Sequence, residues 1–367
     1  DIIGLIGFLD PPKEGVREAV LSAKKAGIRV VMLTGDHPMT AKAVAKQVSI
    51  WSEGDPILTG HEVEVYSDEE LMSALKKTTV LARILPEHKY RIVKLLQQQK
   101  EIVAVTGDGV NDVPALKAAD LGIAMGNGTE AAKNVAKIVI ADNNFRLIVN
   151  GISNARVISD NIRKLIYYLV SISFLEVFFI FFVILAALPL PLAAVQILWI
   201  NIVAGGIQDK IFIFIKGEGN VMIRRPRNPK RQFFDQKQMV SILTFSLTLG
   251  LSIFLLYLYL IPLYSPKIVS TIIFTSIVFA QLANGIQAQK EFEPFFKNID
   301  LSFSINPYLF IVLALGIGLQ LIAIYLIPSW FHIEPLPLTL WKYPVFLFFI
   351  SFGLVEVKKW VEHIRSA

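Results

Sequence analysis

The chain has 367 residues, 54% of them hydrophobic and 18% charged, with a net charge of +6 and no cysteine. Soluble globular proteins average roughly 45–50% apolar residues with glycine counted, and about 25% charged, so neither a wholly soluble enzyme nor a disordered chain fits. Lack of cysteine removes a disulfide scaffold, thiolate metal sites and cysteine nucleophiles. The positive charge is concentrated: Lys216, Arg224, Arg225, Arg227, Lys230, Arg231 and Lys237 share one loop between almost uncharged apolar stretches. That pattern belongs to a membrane protein and not to a nucleic-acid binder.

The sequence opens at Asp1 on the apolar run Ile2–Leu9, with no initiator Met, basic segment or cleavage site. It reads as the interior of a longer protein, or as a gene truncated at its start, and not as a signal peptide. Residues 1–160 then alternate short apolar runs with helical patterns. Ile2–Leu9 precedes Glu14–Lys25, Ile28–Leu33 precedes Pro38–Val48, and Val80–Ala82 precedes Glu87–Gln99. Ile102–Thr106 precedes Asp112–Ala118, and Leu121–Met125 and Ile138–Ile140 follow. This alternation predicts βαβ units and a parallel sheet covered on both faces. Ligands of such sheets sit at the carboxyl ends of the strands, where Thr34-Gly35-Asp36 and Thr106-Gly107-Asp108-Gly109 fall.

Residues 161–367 are predicted to be an all-α membrane domain of six spans, near 165–187, 192–215, 239–263, 268–288, 305–331 and 336–355. Each approaches the ~20 residues that cross a hydrocarbon core of ~30 Å. Arg163 and Lys164, the seven-charge loop, Lys290 with Lys297, and Lys358, Lys359 and Arg365 all lie on one side, against Lys267 on the other. The positive-inside rule therefore places both termini in the cytoplasm, and the expected location is the plasma (inner) membrane. The run Arg224–Arg231 has the composition to attract anionic membrane lipid, though a plain cytoplasmic anchor explains it as well.

In Thr106-Gly107-Asp108-Gly109-Val110-Asn111-Asp112, a strand ends, two glycines admit a ligand to the backbone, and a helix begins. Asp108 is then placed to hold Mg²⁺ beside a phosphate, and the helix start favours the phosphate's charge. Taken alone, the run is equally an Asp-Gly turn before a capped helix. Two further elements shift the balance: the strand end at Thr34-Gly35-Asp36, suited to phosphoryl oxygens, and Lys89 in Pro86-Glu87-His88-Lys89 on a first helical turn.

Together these runs, with Asp10-Pro11-Pro12-Lys13 and Ala115–Gly126, resemble the haloacid-dehalogenase-like phosphorylation domain of P-type ATPases. The resemblance extends into the membrane half and is to the carboxyl-terminal part of type II pumps, the calcium and sodium/potassium group. It implies ATP-driven cation transport through an aspartyl-phosphate with Mg²⁺. In that scheme Asp108 holds Mg²⁺, Asn111 and Asp112 shape the site, and Thr34, Gly35 and Lys89 contact the phosphoryl group, with Asp36 and Gly107 in the same loops. No Asp-Lys-Thr-Gly-Thr occurs in these 367 residues, nor do the family's nucleotide-binding domain, actuator motif or first four membrane helices. The chain is expected to be incompetent alone, and its expected partner is the amino-terminal half of the same pump.

In the membrane half, Glu176 lies mid-span, where an unpaired charge costs roughly 2.5–3.5 kcal/mol or more. By the resemblance it stands at the cation-ligating Glu of the fifth helix, with Ser173 one turn earlier and Asn201 at a ligand position of the next helix. Ala204 and Gly205 follow where the family has Thr and Asp or Asn, and Gln281 replaces an eighth-helix Glu. Asp209 reads equally as an ion ligand and as an interfacial residue beside Lys210. Two other functions compete: a non-catalytic membrane partner of an intact pump, and a membrane-tethered phosphatase. The phosphatase would need Asp10 as its nucleophile, and the Asp-Pro-Pro context lacks the usual Asp-x-Asp.

Overall fold

The two sequence patterns become two kinds of structure in the computed structural model, which describes residues 3, 11–217, 219–227, 234–290 and 293–366. One compact unit forms within Asp1–Ala155 and Gly219–Arg227, the other within Arg156–Glu218 and Asn228–Ala367. The expected strand Ile2–Leu9 (apart from Ile3), the candidate nucleophile Asp10, and Asn228–Arg231 of the basic loop lie outside the described residues.

The first unit alternates helices and parallel strands. In order these are α1 (Val16–Lys25), β1 (Met32–Leu33), α2 (Pro38–Gln47), β2 (Ile57–Thr59), α3 (Gly60–Val65), α4 (Asp68–Leu75) and β3 (Val80–Ala82). Then come α5 (Pro86–Gln98), β4 (Ala104–Gly107), α6 (Val113–Ala118), β5 (Leu121–Met125), α7 (Glu130–Val135) and β6 (Ile138–Ile140). The parallel strands expected from the sequence are present. Among the described residues, however, they form two three-stranded sheets, β1-β3-β2 and β4-β5-β6, and not one. β1 and β4, which carry the two candidate loops, are each the outer strand of their sheet.

β1 is shorter than the apolar run Ile28–Leu33 because the end of α1 consumes the start of that run. Gly27 turns at φ 73°, and the N–H of Ile28 donates to the carbonyl of Ala23 at 2.9 Å. The sequence reading missed β2, α3, α4 and α7. Two of these helices begin with a capping box: Thr59 with Glu62 for α3, and Ser67 with Glu70 for α4. In each the hydroxyl accepts an orphan N–H while the glutamate reaches back to the cap. The core divides into small apolar clusters between the layers, such as Val20, Ala45 and Val80 on one side and Leu71, Leu81 and Ile92 on the other.

Asp120 ties the two long strands of the second sheet together. Its carboxylate accepts the N–H of Val103, just before β4, at 2.8 Å, and it sits next to the first residue of β5. That hydrogen bond holds the Asp120 carboxyl below the usual range, with Gln97 and Lys137 acting in the same direction against partial burial. The contribution is therefore complete above the ordinary Asp value near ~4 and fades as pH falls through the lowered one. We expect Asp120→Asn to remove this component of the acid transition, read as a steeper loss of amide protection in β4 with falling pH in the parent than in the variant.

The second unit is helical. α8 (Phe145–Leu185) begins well before the span expected at 165, because no proline interrupts its 41 residues. α9 (Ala194–Asn201) is followed by a π-helical segment, Ile202–Ile207, and a 3₁₀ segment, Gln208–Phe214. α10 (Gln236–Leu260), α11 (Pro266–Ala288), α12 (Ile299–Ser304), α13 (Leu309–Leu321) and α14 (Lys342–Ser366) complete it. Among the described residues, five helices are long and apolar enough to cross a membrane, as judged from length and composition. The stretch expected to span at 192–215 is not one of them. It contains Gly205-Gly206, which weaken helix by about 1 kcal/mol each relative to alanine, and its hydrogen bonding changes from α to π to 3₁₀. α11 is buried over most of its length, in a cluster that includes Phe179, Ile200, Leu249, Ile273, Phe274 and Ile277.

Candidate functional site

In the first unit the β4–α6 loop is built around Asp112, which is 9% exposed. One of its carboxylate oxygens, Oδ2, accepts the N–H groups of Asp108 and Gly109 at 3.2 and 3.3 Å. The other, Oδ1, accepts Lys89 Nζ from the first turn of α5 at 2.7 Å. Both partners of this ion pair are largely buried, with 18% and 12% of their side chains accessible. Asp112 is thus fully engaged. Asp108 is exposed, and its carboxylate makes no hydrogen bond or ion pair among the described residues.

Gly107 is required by this packing: a Cβ there would lie 2.5 Å from Asp112 Cβ and 2.6 Å from its Oδ2. From the other side, Thr129 N donates to the Asp108 carbonyl at 2.8 Å, and a Cβ on Gly128 would come within 2.9 Å of that oxygen. The sequence reading missed Gly128 and Thr129, although Gly-Thr before Glu130 is a helix-cap signal. At the end of β1, Thr34 Oγ1 donates to Asp36 at 2.9 Å and accepts the Asp36 N–H at 3.1 Å. Gly35 has room for a Cβ, 4.0 Å from the nearest atom, the carbonyl of Ile84. The fold therefore explains Gly107 and leaves Gly35 unexplained. Asn111 is exposed, and no hydrogen bond or ion pair among the described residues joins Thr34–Asp36 to Asp108–Asp112. We expect Gly107→Ala to destabilise the unit by more than about 2 kcal/mol, since backbone and a buried ion pair would have to shift. Gly35→Ala should stay within about 1 kcal/mol, and urea unfolding of the two variants checks the contrast.

Among the described residues no group of three His, Cys, Asp or Glu side chains is placed to hold a metal ion. Mg²⁺ does not need one: it commonly takes one or two carboxylates, substrate phosphate oxygens and water. The unpaired Asp108 carboxylate fits that requirement, whereas Asp112 is committed to Lys89.

In the second unit, Glu176 on α8 accepts Gln281 Nε2 from α11 at 3.1 Å. Gln281 is fully buried, and its Oε1 has no partner among the described residues. A carboxylate beside an unpartnered amide oxygen can receive a cation. The other candidates are not joined to this pair. The Ser173 hydroxyl donates to the carbonyl of Leu169 at 2.9 Å, and Asn201 Nδ2 donates to that of Ile197 at 3.0 Å. Both oxygens of Asp209 accept Lys210 Nζ at 2.9 Å. Ala204 and Gly205 lie in the π-helical segment.

A buried residue the sequence reading missed is Gln208, which follows that segment. Its Oε1 accepts Tyr168 OH at 2.6 Å, and its Nε2 is unpartnered. The amide lies close to Gly285 and Gly316, whose Cβ positions would be 3.4 and 3.9 Å from it.

Residues 189–361 match the family described as cation transporting ATPase, C-terminus, and residues 1–120 match haloacid dehalogenase-like hydrolases. The calcium-transporting ATPase of Bacillus subtilis is 39% identical over 331 residues, covering 89% of this chain and 37% of the relative. A calcium-transporting ATPase of Lactococcus lactis is 36% identical, covering 92% of this chain and 38% of the relative. The endoplasmic reticulum calcium ATPase srcA of Aspergillus fumigatus is 40% identical over 62% of this chain and 24% of its own. The chain thus spans little more than a third of the length of the two bacterial relatives. It is an integral membrane protein that belongs to the type II cation-transporting P-type ATPases, whose carboxyl-terminal part it matches.

Proposed function

We propose that this chain supplies the Mg²⁺ side of a phosphoryl-transfer site and part of the ion path of an ATP-driven cation pump. The observation that carries the reading is the division of labour in the β4–α6 loop. Asp112 is consumed in fixing Lys89 and the Asp108–Gly109 backbone, which leaves the Asp108 side chain exposed and, among the described residues, unpaired on a fixed backbone. Bound Mg²⁺ would supply charge neutralisation at phosphoryl oxygens. Lys89, anchored by Asp112, brings a positive charge to the same loop; Asn111 in that loop and Thr34 and Gly35 at the end of β1 are the further positions this reading assigns to the phosphoryl group. Glu176 and Gln281 form the start of a cation site, which Ser173, Asn201 and Asp209 would extend. This reading includes six spans, both termini in the cytoplasm of a plasma (inner) membrane, and a separate amino-terminal half as partner.

Phosphoryl transfer rests mostly on positioning and charge stabilisation, and no Asp-Lys-Thr-Gly-Thr is present in these residues to be phosphorylated. Expressed alone, the 367-residue chain should form no acid-stable, hydroxylamine-sensitive phosphoenzyme from ATP. Co-expressed with the amino-terminal stretch of the Bacillus subtilis relative, it should support phosphorylation of that stretch. Asp108→Asn should reduce the signal by about a hundredfold or more. Phosphorylation of this chain by itself, or an Asp108→Asn pair as active as the parent, would overturn the proposal.

A further inference from the structure

A polar triad lies where α8, α10 and α14 meet, away from both sites above. Lys358 Nζ of α14 donates to Ser241 Oγ of α10, and Ser241 Oγ shares a hydrogen bond of 3.0 Å with Tyr167 OH of α8. The ammonium lies 5.8 Å from the centre of the Tyr167 ring, and Glu362 Oε1, one turn on along α14, is 3.8 Å from it. The Lys358 side chain is 39% accessible.

Counting donors shows what the triad lacks. The two hydroxyls own two protons and share one hydrogen bond, so one O–H is left over. The ammonium has three N–H groups: one goes to Ser241 and one faces Glu362, so another remains. The left-over donors meet no acceptor among the described residues, so the group is complementary to an anion. Lys237, exposed and one helical turn before Ser241, adds a second positive charge on that face of α10.

Depth decides the source of the anion. Tyr167, Ser241 and Lys358 each lie within three residues of the end of an apolar stretch, 165–187, 239–263 and 336–355 respectively. Three separate boundaries thus put the triad at one membrane–water interface, where lipid phosphates are concentrated and free phosphate is not. Beside it, Val357 of α14, on the membrane side of Lys358, is an exposed apolar residue suited to acyl chains, and Trp360 is an interfacial anchor. We propose that Lys358, Ser241 and Tyr167 form a headgroup site for an anionic phospholipid between α8, α10 and α14. A zwitterionic headgroup would bring its own ammonium towards Lys237 and Lys358 and is disfavoured.

The full chain in nanodiscs containing equal phosphatidylglycerol and phosphatidylcholine of matched acyl chains tests this by native mass spectrometry of retained lipid. The parent should retain phosphatidylglycerol about fivefold over phosphatidylcholine, the value of one interfacial lysine. Lys358→Gln should reduce the ratio to near one, and Lys358→Arg should preserve most of it. Ser241→Ala with Tyr167→Phe keeps the charge yet should lower the ratio, which separates a built site from diffuse attraction. Glu362→Gln, at an exposed position, should raise it by freeing the ammonium. No preference in the parent, or an unchanged ratio in Lys358→Gln, overturns the site. Displacement of the lipid by millimolar inorganic phosphate would assign the triad to free phosphate and overturn the lipid assignment.

Discussion

Asp112→Ala is expected to undo the β4–α6 loop while leaving the rest of the first unit folded. The substitution removes three acceptor contacts at once: Lys89 Nζ at 2.7 Å and the N–H groups of Asp108 and Gly109 at 3.2 and 3.3 Å. Lys89, with 18% of its side chain accessible, would then be a partly buried ammonium without its carboxylate. Breaking a buried pair from one side costs about 3–5 kcal/mol, and partial exposure brings the expectation here to about 3 kcal/mol. Hydrogen exchange should show this directly, because the Asp108 and Gly109 amides lose their acceptor and should exchange at least tenfold faster. Amides of β3 and α5, which bond to other groups, should change far less. Asp112→Asn keeps one acceptor oxygen but not the charge and should fall between parent and Ala. If Asp108 and Gly109 exchange at the parental rate in Asp112→Ala, the loop is fixed by Thr129 and Gly128 alone.

This loop also marks how far the sequence was legible. A strand end, two glycines and a helix start read as a loop after a strand, and Asp108 does follow β4, because those signals are local and each has a backbone cause. The partnership of Asp112 with Lys89 was not legible: the residues are 23 positions apart, and only the packing of α5 against α6 makes them neighbours. Gly107 was read as an opening for a ligand, whereas the fold uses it to admit the Asp112 side chain. Helices α3 and α4 were within reach through Thr59 and Ser67 with glutamate three residues on, but hydrophobic runs draw attention away from capping signals. In the membrane half, hydropathy counts apolar residues and is silent on helix continuity. The stretch 192–215 therefore reads as a span although its hydrogen bonding changes twice within it. Gln208 reads as the polar end of that stretch. Its burial beside Gly285 and Gly316 depends on two distant helices.

The second large effect is expected at Gln281, whose amide does two things for Glu176. Its Nε2 donates to the carboxylate at 3.1 Å, and its buried Oε1 is left without a partner. Gln281→Leu removes both: Glu176 loses a hydrogen bond, and any cation beside it loses an oxygen. Gln281→Glu does the reverse, placing two carboxyl groups about a hydrogen bond apart, a pair that needs a shared cation or proton. Cation affinity at oxygen sites rises with the number of charged ligands. Gln281→Glu should therefore bind divalent cations about tenfold more tightly than the parent, or about 1.4 kcal/mol. Gln281→Leu should abolish the dependence, as should Glu176→Leu, which removes the carboxylate itself. The measurement is thermal stability of the purified full chain in detergent across a calcium titration, since a ligand that binds only the folded state raises its melting temperature. Asp209→Asn should shift the titration far less than either leucine substitution: both its oxygens are held by Lys210, so it contributes at most at the margin of the site. A parent stabilised by calcium whose midpoint ignores both position 281 and position 176 would move the cation elsewhere.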